Sequence, residues 1–194
     1  MKNNSGKLKV VLAILIVVVT IIVVFYRIAN QKRADEGVQK LSSTQAILQR
    51  DLDINYPQSP RAVVKYYAEL SQCMYESDTT ETDIVELAVQ SRKLLDDELV
   101  AQQSDEQYLA ALKKTVESFA KEKRRIVSFT ISSSTDVETY KNNGDDMASL
   151  YCIFVLQKGS LNYSDNEQYI LRKDSKGHWK ILGWQPAAKN KSNE

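Results

Sequence analysis

Residues 147–157 read MASLYCIFVLQ, eleven positions with one serine and one glutamine and no charge. A run this apolar on both alternating sides is what a strand looks like when both faces of its sheet are covered, so it is expected to be a central strand. Upstream, Val127, Phe129 and Ile131 alternate with Ser128, Thr130 and Ser132, which is the period of a half-buried strand. Between the two, Asn142 to Asp146 (NNGDD) reads as a turn; it lacks the oxygen spacing and closing glutamate of a calcium loop. Downstream, Tyr169–Lys173 and His178–Gln185 flank Asp174-Ser175-Lys176-Gly177, the signature of a hairpin. Four strands joined this closely are expected to pair antiparallel.

Before Arg125 the period is helical. A break with two of the three prolines, Asn55 to Pro60, ends in Ser59 as an N-cap and Pro60 at the first helical position. The first helix then runs to about Glu76, with Val63, Val64, Tyr67, Leu70, Cys73 and Met74 toward one side. A second is expected over Asp83–Leu95 with Ile84, Leu87, Ala88 and Leu94 inward, and a third opens at the Ser104/Gln107 capping box. The basic run Lys121 to Arg125 suits that helix's C-terminus and is interrupted by Glu122. Three helices followed by a four-strand antiparallel sheet, with the helices on one face, make the fold class α+β.

Ahead of this domain lies Val10 to Tyr26, VVLAILIVVVTIIVVFY, without a charged residue. Extended to residues 8–28 it would rise about 31 Å as a helix, enough to cross a bilayer once. Its length and the following Arg27 read as an uncleaved anchor rather than a signal peptide. Lys2, Lys7 and Lys9 nearly balance Arg27, Lys32 and Arg33, but the short side carries no acid while Asp35 and Glu36 follow the anchor. The orientation expected is therefore a short tail inside and the domain outside the cytoplasm. Residues 29–54 read as a helical stalk in which Ala34, Val38, Leu41, Gln45, Leu48 and Leu52 form a heptad-like seam. That seam would either dimerise the protein above the membrane or dock its last turns, Leu48 and Leu52, on the domain. The expected organisation is a cytoplasmic tail over 1–9, an anchor over 8–28, a stalk over 29–54, the folded domain over 55–188 and a disordered tail over 189–194.

The closing pair YILRKDSKGHWKILGWQ (169–185) and the helix-then-sheet order resemble the nuclear transport factor 2-like superfold, a cone of helices leaning on a curved sheet. With the anchor, QRDLDINYPQSPRAVVKYY (49–67), LLDDELVAQQ (94–103) and ISSSTDV (131–137), nearly the whole chain resembles a family of small single-pass clostridial membrane proteins of unassigned function. The resemblance implies an architecture and a cell-envelope setting, and no activity. Exported domains on the superfold serve as scaffolds in conjugative secretion machines while others are enzymes, so the fold selects no function.

The residues themselves carry little chemistry. Lys and Arg number 26 against 25 Asp and Glu, a net charge of +1, which gives no field for gripping nucleic acid. There is no metalloprotease, nucleophile-elbow or phosphate-loop motif, no cofactor is expected, and the chain is read as not an enzyme. His178 is read as an exposed strand histidine, Cys73 and Cys152 as buried small hydrophobes, and Asp96-Asp97-Glu98 as a solvated loop. The tyrosines, ten in all, are the one enrichment. Tyr66, Tyr67, Tyr151, Tyr169 and Trp184 are the candidates for a ligand or partner surface at the mouth of the cone. Trp179 and Trp184 are expected on opposite faces of their strand unless a bulge at Gly183 shifts the register. The expected partners are the membrane, through one span, and another envelope protein, with a homodimer through the stalk as a further option. The expected function is a membrane-anchored extracytoplasmic interaction or scaffold module, and the alternative is a small-ligand-binding or enzymatic domain using the cone pocket.

Overall fold

The computed structural model describes residues 42–187. The expected anchor, the stalk as far as residue 41 and the terminal tail from residue 188 lie outside the described residues. Among the described residues no helix is long and apolar enough to cross a membrane.

The fold class is α+β, with five α-helices ahead of five strands among the described residues. The helices are α1 (Ser43–Leu48), α2 (Pro60–Met74), α3 (Glu81–Leu94), α4 (Asp97–Val100) and α5 (Asp105–Lys121). The strands are β1 (Arg124–Ile131), β2 (Glu138–Asn142), β3 (Asp145–Lys158), β4 (Leu161–Lys173) and β5 (Trp179–Pro186). The sheet runs β1-β3-β4-β5 with β2 also paired to β3, and every pairing is antiparallel. This corrects the expected four strands to five. β2 was not expected because ETYKN is exposed throughout and its single aromatic, Tyr140, is too little to make an alternating apolar side. The first half of β4 was missed for the same reason, since residues 161–166 are all exposed.

Helix starts follow their caps. The Ser59 hydroxyl accepts from the Ala62 N–H at 3.2 Å with Pro60 behind it, and Ser104 and Gln107 cap each other's backbone N–H groups at 3.2 and 3.0 Å. Thr80 and Asp83 form a further reciprocal box, so α3 begins at Glu81, ahead of the expected Asp83. The core lies between α2, α3 and one face of the sheet. On β3 the even positions Ala148, Leu150, Cys152, Phe154 and Leu156 are buried, and on the other side Met147 and Ser149 are buried while Tyr151 and Ile153 are 45% and 39% exposed, so the covering of both faces expected of this run is corrected at its outer end. Facing them are Val63, Val64 and Leu70 of α2 with Leu87 and Leu94 of α3, all fully buried.

Packing also starts before residue 55. Leu52 is buried, Leu48 packs on the core, and the Tyr66 hydroxyl donates to the Ile47 carbonyl at 3.0 Å. Of the expected stalk seam, the part carrying Leu48 and Leu52 is thus spent on the domain itself, while Gln45 closes the N-terminal box of α1.

The triplet Asp96-Asp97-Glu98 is not a solvated loop. The Asp96 N–H donates to the Ile181 carbonyl at 2.8 Å, extending the sheet's β5 edge by a parallel bridge at Leu95. Its side chain caps α4 through the Glu98 N–H at 3.0 Å and receives the Arg172 guanidinium, so that Asp96 is only 4% exposed. His178 is likewise not an exposed strand residue. It sits in the turn before β5, half-buried, stacked on Tyr56 at 4.3 Å and 3.9 Å from Asp174.

Candidate functional site

Helical spacing aligns Tyr67 and Ser71 of α2 with Tyr75 just past its end, one residue per turn along a single side. Strand spacing aligns Asp165, Glu167 and Tyr169 on one face of β4. These three pair with Phe154, Cys152 and Leu150 of β3, all buried, so the carboxylates share the helix-covered face with the core. Where the two rows face each other they enclose a cavity of about 180 Å³, completed by Phe119, Ile126, Phe154, Leu156 and Trp184.

Trp184 reaches this cavity through a bulge. Ile170 pairs with Gly183 but Leu171 pairs with Ile181, leaving Leu182 unmatched. The extra residue reverses the alternation, and Trp184, opposite Tyr169, joins Trp179 and Ile181 on one face. The opposite-face placement expected from strict alternation is therefore corrected. Tyr67, Tyr169 and Trp184 form a three-ring cluster with centroids 5.7 to 6.1 Å apart, and Tyr75 stacks on Phe119 at 4.1 Å.

Of the five expected surface residues the structure brings together three, Tyr67, Tyr169 and Trp184. Tyr66 is buried on the other side of α2, under the Arg50 guanidinium and against α1. Tyr151 stands on the opposite face of the sheet, where it is exposed although Met147 and Ser149 on the same side of β3 are buried. Sequence reasoning missed Asp165, Glu167, Tyr75 and Phe119. The signal available was the i, i+4, i+8 run of Tyr67, Ser71 and Tyr75.

The Tyr169 hydroxyl donates to Glu167 Oε2 at 2.6 Å. Burial lifts the Glu167 carboxyl above its usual range; the Tyr169 hydrogen bond works against this and the Asp165 charge adds to it. Tyr67 and Tyr169 are also held well above an ordinary phenol, chiefly by burial, and Tyr75 is pushed up to about 12 by burial first. Cys152, behind Glu167 on β3, is pushed up to about 12 by burial, so its thiol stays protonated and inert at neutral pH. Both cysteines are free and buried, and His178 does not line the cavity.

A carboxyl whose pKa rises on folding binds more protons in the native than in the unfolded state across the interval just above its ordinary 4.5. Its contribution to stability is greatest below that interval and is lost as pH rises through it. Asp165, Tyr67, Tyr75, Tyr169 and Cys152 are the ionisable groups coupled to it. Glu167→Gln should therefore be at least as stable as the parent at pH 7, with a flatter stability curve just above pH 4.5. Urea melts across that range would sink this reading if the variant lost more than about 1 kcal/mol at pH 7.

A family model described as Domain of unknown function (DUF6715) matches residues 1–184. No curated protein matches the chain. Among solved structures, CagV, a VirB8 homolog of the T4SS from Helicobacter pylori, is similar with a TM-score of 0.39 and 12% identity, covering 64% of this chain and 95% of CagV. The helical cell shape determining protein Pgp2 from Campylobacter jejuni is similar with a TM-score of 0.38 and 16% identity, covering 66% of this chain and 42% of Pgp2. At these scores neither likeness assigns a role.

Proposed function

The chain belongs to the family described as Domain of unknown function (DUF6715), which brings no activity with it, and on that premise we propose a membrane-anchored, extracytoplasmic interaction module without catalytic activity. The observation that carries the reading is the two-sidedness of the sheet. One face is packed by helices, whereas the other presents Tyr140, Tyr151 and Ile153 at 43%, 45% and 39% exposure. Tyr140 pairs with Met147, which shares its strand side with Tyr151 and Ile153, so the three belong to one surface. Apolar and aromatic side chains grouped on an uncovered sheet face suit a protein partner.

The anchor is supported by the uncharged run Val10–Tyr26, and the outward orientation by Lys2, Lys7 and Lys9 before it with Asp35 and Glu36 after it. Five helices ahead of an antiparallel sheet bulged at Val127 and Leu182 support a nuclear transport factor 2-like cone, since bulges bend strands. The partner expected is another envelope protein. A photocrosslinking residue at Tyr151 should give a discrete adduct in intact cells, and the same residue at Glu117, exposed on α5, should give none. Equal adducts from both positions, or none from Tyr151, would remove the sheet face as the contact surface.

A second reading is favoured by one specific observation. Two carboxylates, Asp165 and Glu167, line a half-open cavity with Tyr67, Tyr169 and Trp184, which is the arrangement of a small-ligand site. The two readings use opposite faces of the sheet and are compatible.

A further inference from the structure

The cavity beside Glu167 has walls that are mainly aromatic, completed by Ser71, Ile126 and Leu156, and charges of one sign. Tyr67, Tyr75, Tyr169 and Trp184 line it, Glu167 stands half-buried among them, and Asp165 is exposed at its rim. Among the described residues neither carboxylate has a cationic side chain within ion-pair distance. The basic group on this side of the fold, Arg124, is already engaged, with its guanidinium 4.2 Å over the Phe119 ring and 3.1 Å from Glu122. A carboxylate held half-buried without a counter-ion costs stability, and such a cost is commonly retained where a ligand needs the charge.

The chemistry of the walls decides which ligand. An anion would meet two carboxylates. A divalent metal ion demands about six oxygen ligands, and aromatic edges supply few. A neutral apolar molecule would leave Glu167 without a counter-ion. An organic ammonium group satisfies both features, because its diffuse, weakly hydrated charge is attracted to aromatic faces and neutralises the acids. The volume, about 180 Å³, limits the ligand to a group of a few heavy atoms. Resting on the ligand-site reading above, we infer that the cavity binds a compact, free organic ammonium cation, with the Tyr67, Tyr75, Tyr169 and Trp184 rings around the charge and Glu167 and Asp165 as its counter-ions.

The test is a fluorescence titration of the full-length protein, with Trp184 as the reporter, using choline chloride against sodium chloride at matched ionic strength. Choline should give a saturable change, and its neutral isostere 3,3-dimethylbutan-1-ol should bind at least about tenfold more weakly, a difference within the range of a desolvated cation–aromatic site. Glu167→Gln should weaken choline about tenfold and leave the neutral analogue unchanged. If that variant fails to melt cooperatively, Asp165→Asn, at an exposed position, takes its place with the same direction of effect. Phosphocholine, which carries the cation as a lipid headgroup does, should bind more weakly than choline because its phosphate meets Asp165. Equal affinity for choline and the neutral analogue would overturn the ammonium assignment while leaving a ligand cavity. Phosphocholine binding as tightly as choline would overturn the free-cation form. Binding of neither choline nor the neutral analogue would remove the ligand-site reading itself.

Discussion

Arg172→Ala should lower the stability of the folded domain by about 3 kcal/mol. Arg172 Nε donates to Asp96 Oδ2 at 3.0 Å while its Nη2 donates to Asp96 Oδ1 and to Glu98 Oε2, the latter at 3.0 Å, and Nη1 lies 3.8 Å from Asp145 Oδ2. One guanidinium thereby joins the cap of α4, the end of β4 and the start of β3. The hydrogen bonds it donates to Asp96, ahead of every other influence, make that guanidinium hold its proton more firmly still. The Asp96 side chain is only 6% exposed, so removing its partner strands a carboxylate away from water. The loss falls at the low end of the range for buried pairs for two reasons: the Arg172 side chain retains 26% exposure, and Asp96 keeps its bond to the Glu98 N–H. Arg172→Lys should recover only part, because an ammonium cannot reproduce the two-pronged contact. Chemical denaturation of the three proteins checks this, and an alanine variant within about 0.5 kcal/mol of the parent would show that Asp96 is solvated after all.

Leu150→Ala should cost about 2–5 kcal/mol, and Tyr151→Thr, one residue along the same strand, less than about 1 kcal/mol. Leu150 is fully buried on the central strand, opposite Tyr169, so truncation leaves a void that close-packed neighbours fill only in part. Tyr151 is 45% exposed on the other face, and threonine is β-branched, a shape that a strand favours. Thermal melts of the pair therefore read out which face is core. Comparable large losses from both would mean that the outer face is packed too, removing the surface on which the interaction reading depends.

What the sequence disclosed follows where burial writes a pattern. MASLYCIFVLQ is the core of β3, and the Ser59 and Ser104 caps open α2 and α5 where expected. β2 and the outer half of β4 are exposed and carry few apolar residues, Tyr140 in the one and Leu161 and Tyr163 in the other, too short a pattern to mark a strand; their pairing with β3 exists only in three dimensions. Asp96 reads as a surface acid because the arginine that buries it lies 76 positions away. Trp184 joins Tyr67 and Tyr169 only through the Leu182 bulge, a one-residue register change that strict alternation does not contain. Glu167 and Asp165 fall in a stretch to which the sequence assigned no element, and they share a cavity only because Tyr67 of α2 and Tyr75 just past its end face them. Of the aromatic residues singled out in the sequence, Tyr67, Tyr169 and Trp184 come together on one cavity, while the acids that give it its character left no local trace.

The central claim, a folded domain held outside the cytoplasm by one apolar span, is tested most directly by thiol labelling in intact cells. Lys141→Cys places a reactive group on β2, exposed throughout, whereas the native Cys73 and Cys152 are buried and stay silent. Burial also raises both native thiols, most strongly Cys152, so background labelling at neutral pH is low. A membrane-impermeant maleimide should label the variant before lysis, and the labelled protein should sediment with the membrane fraction. Labelling only after permeabilisation would contradict the claim.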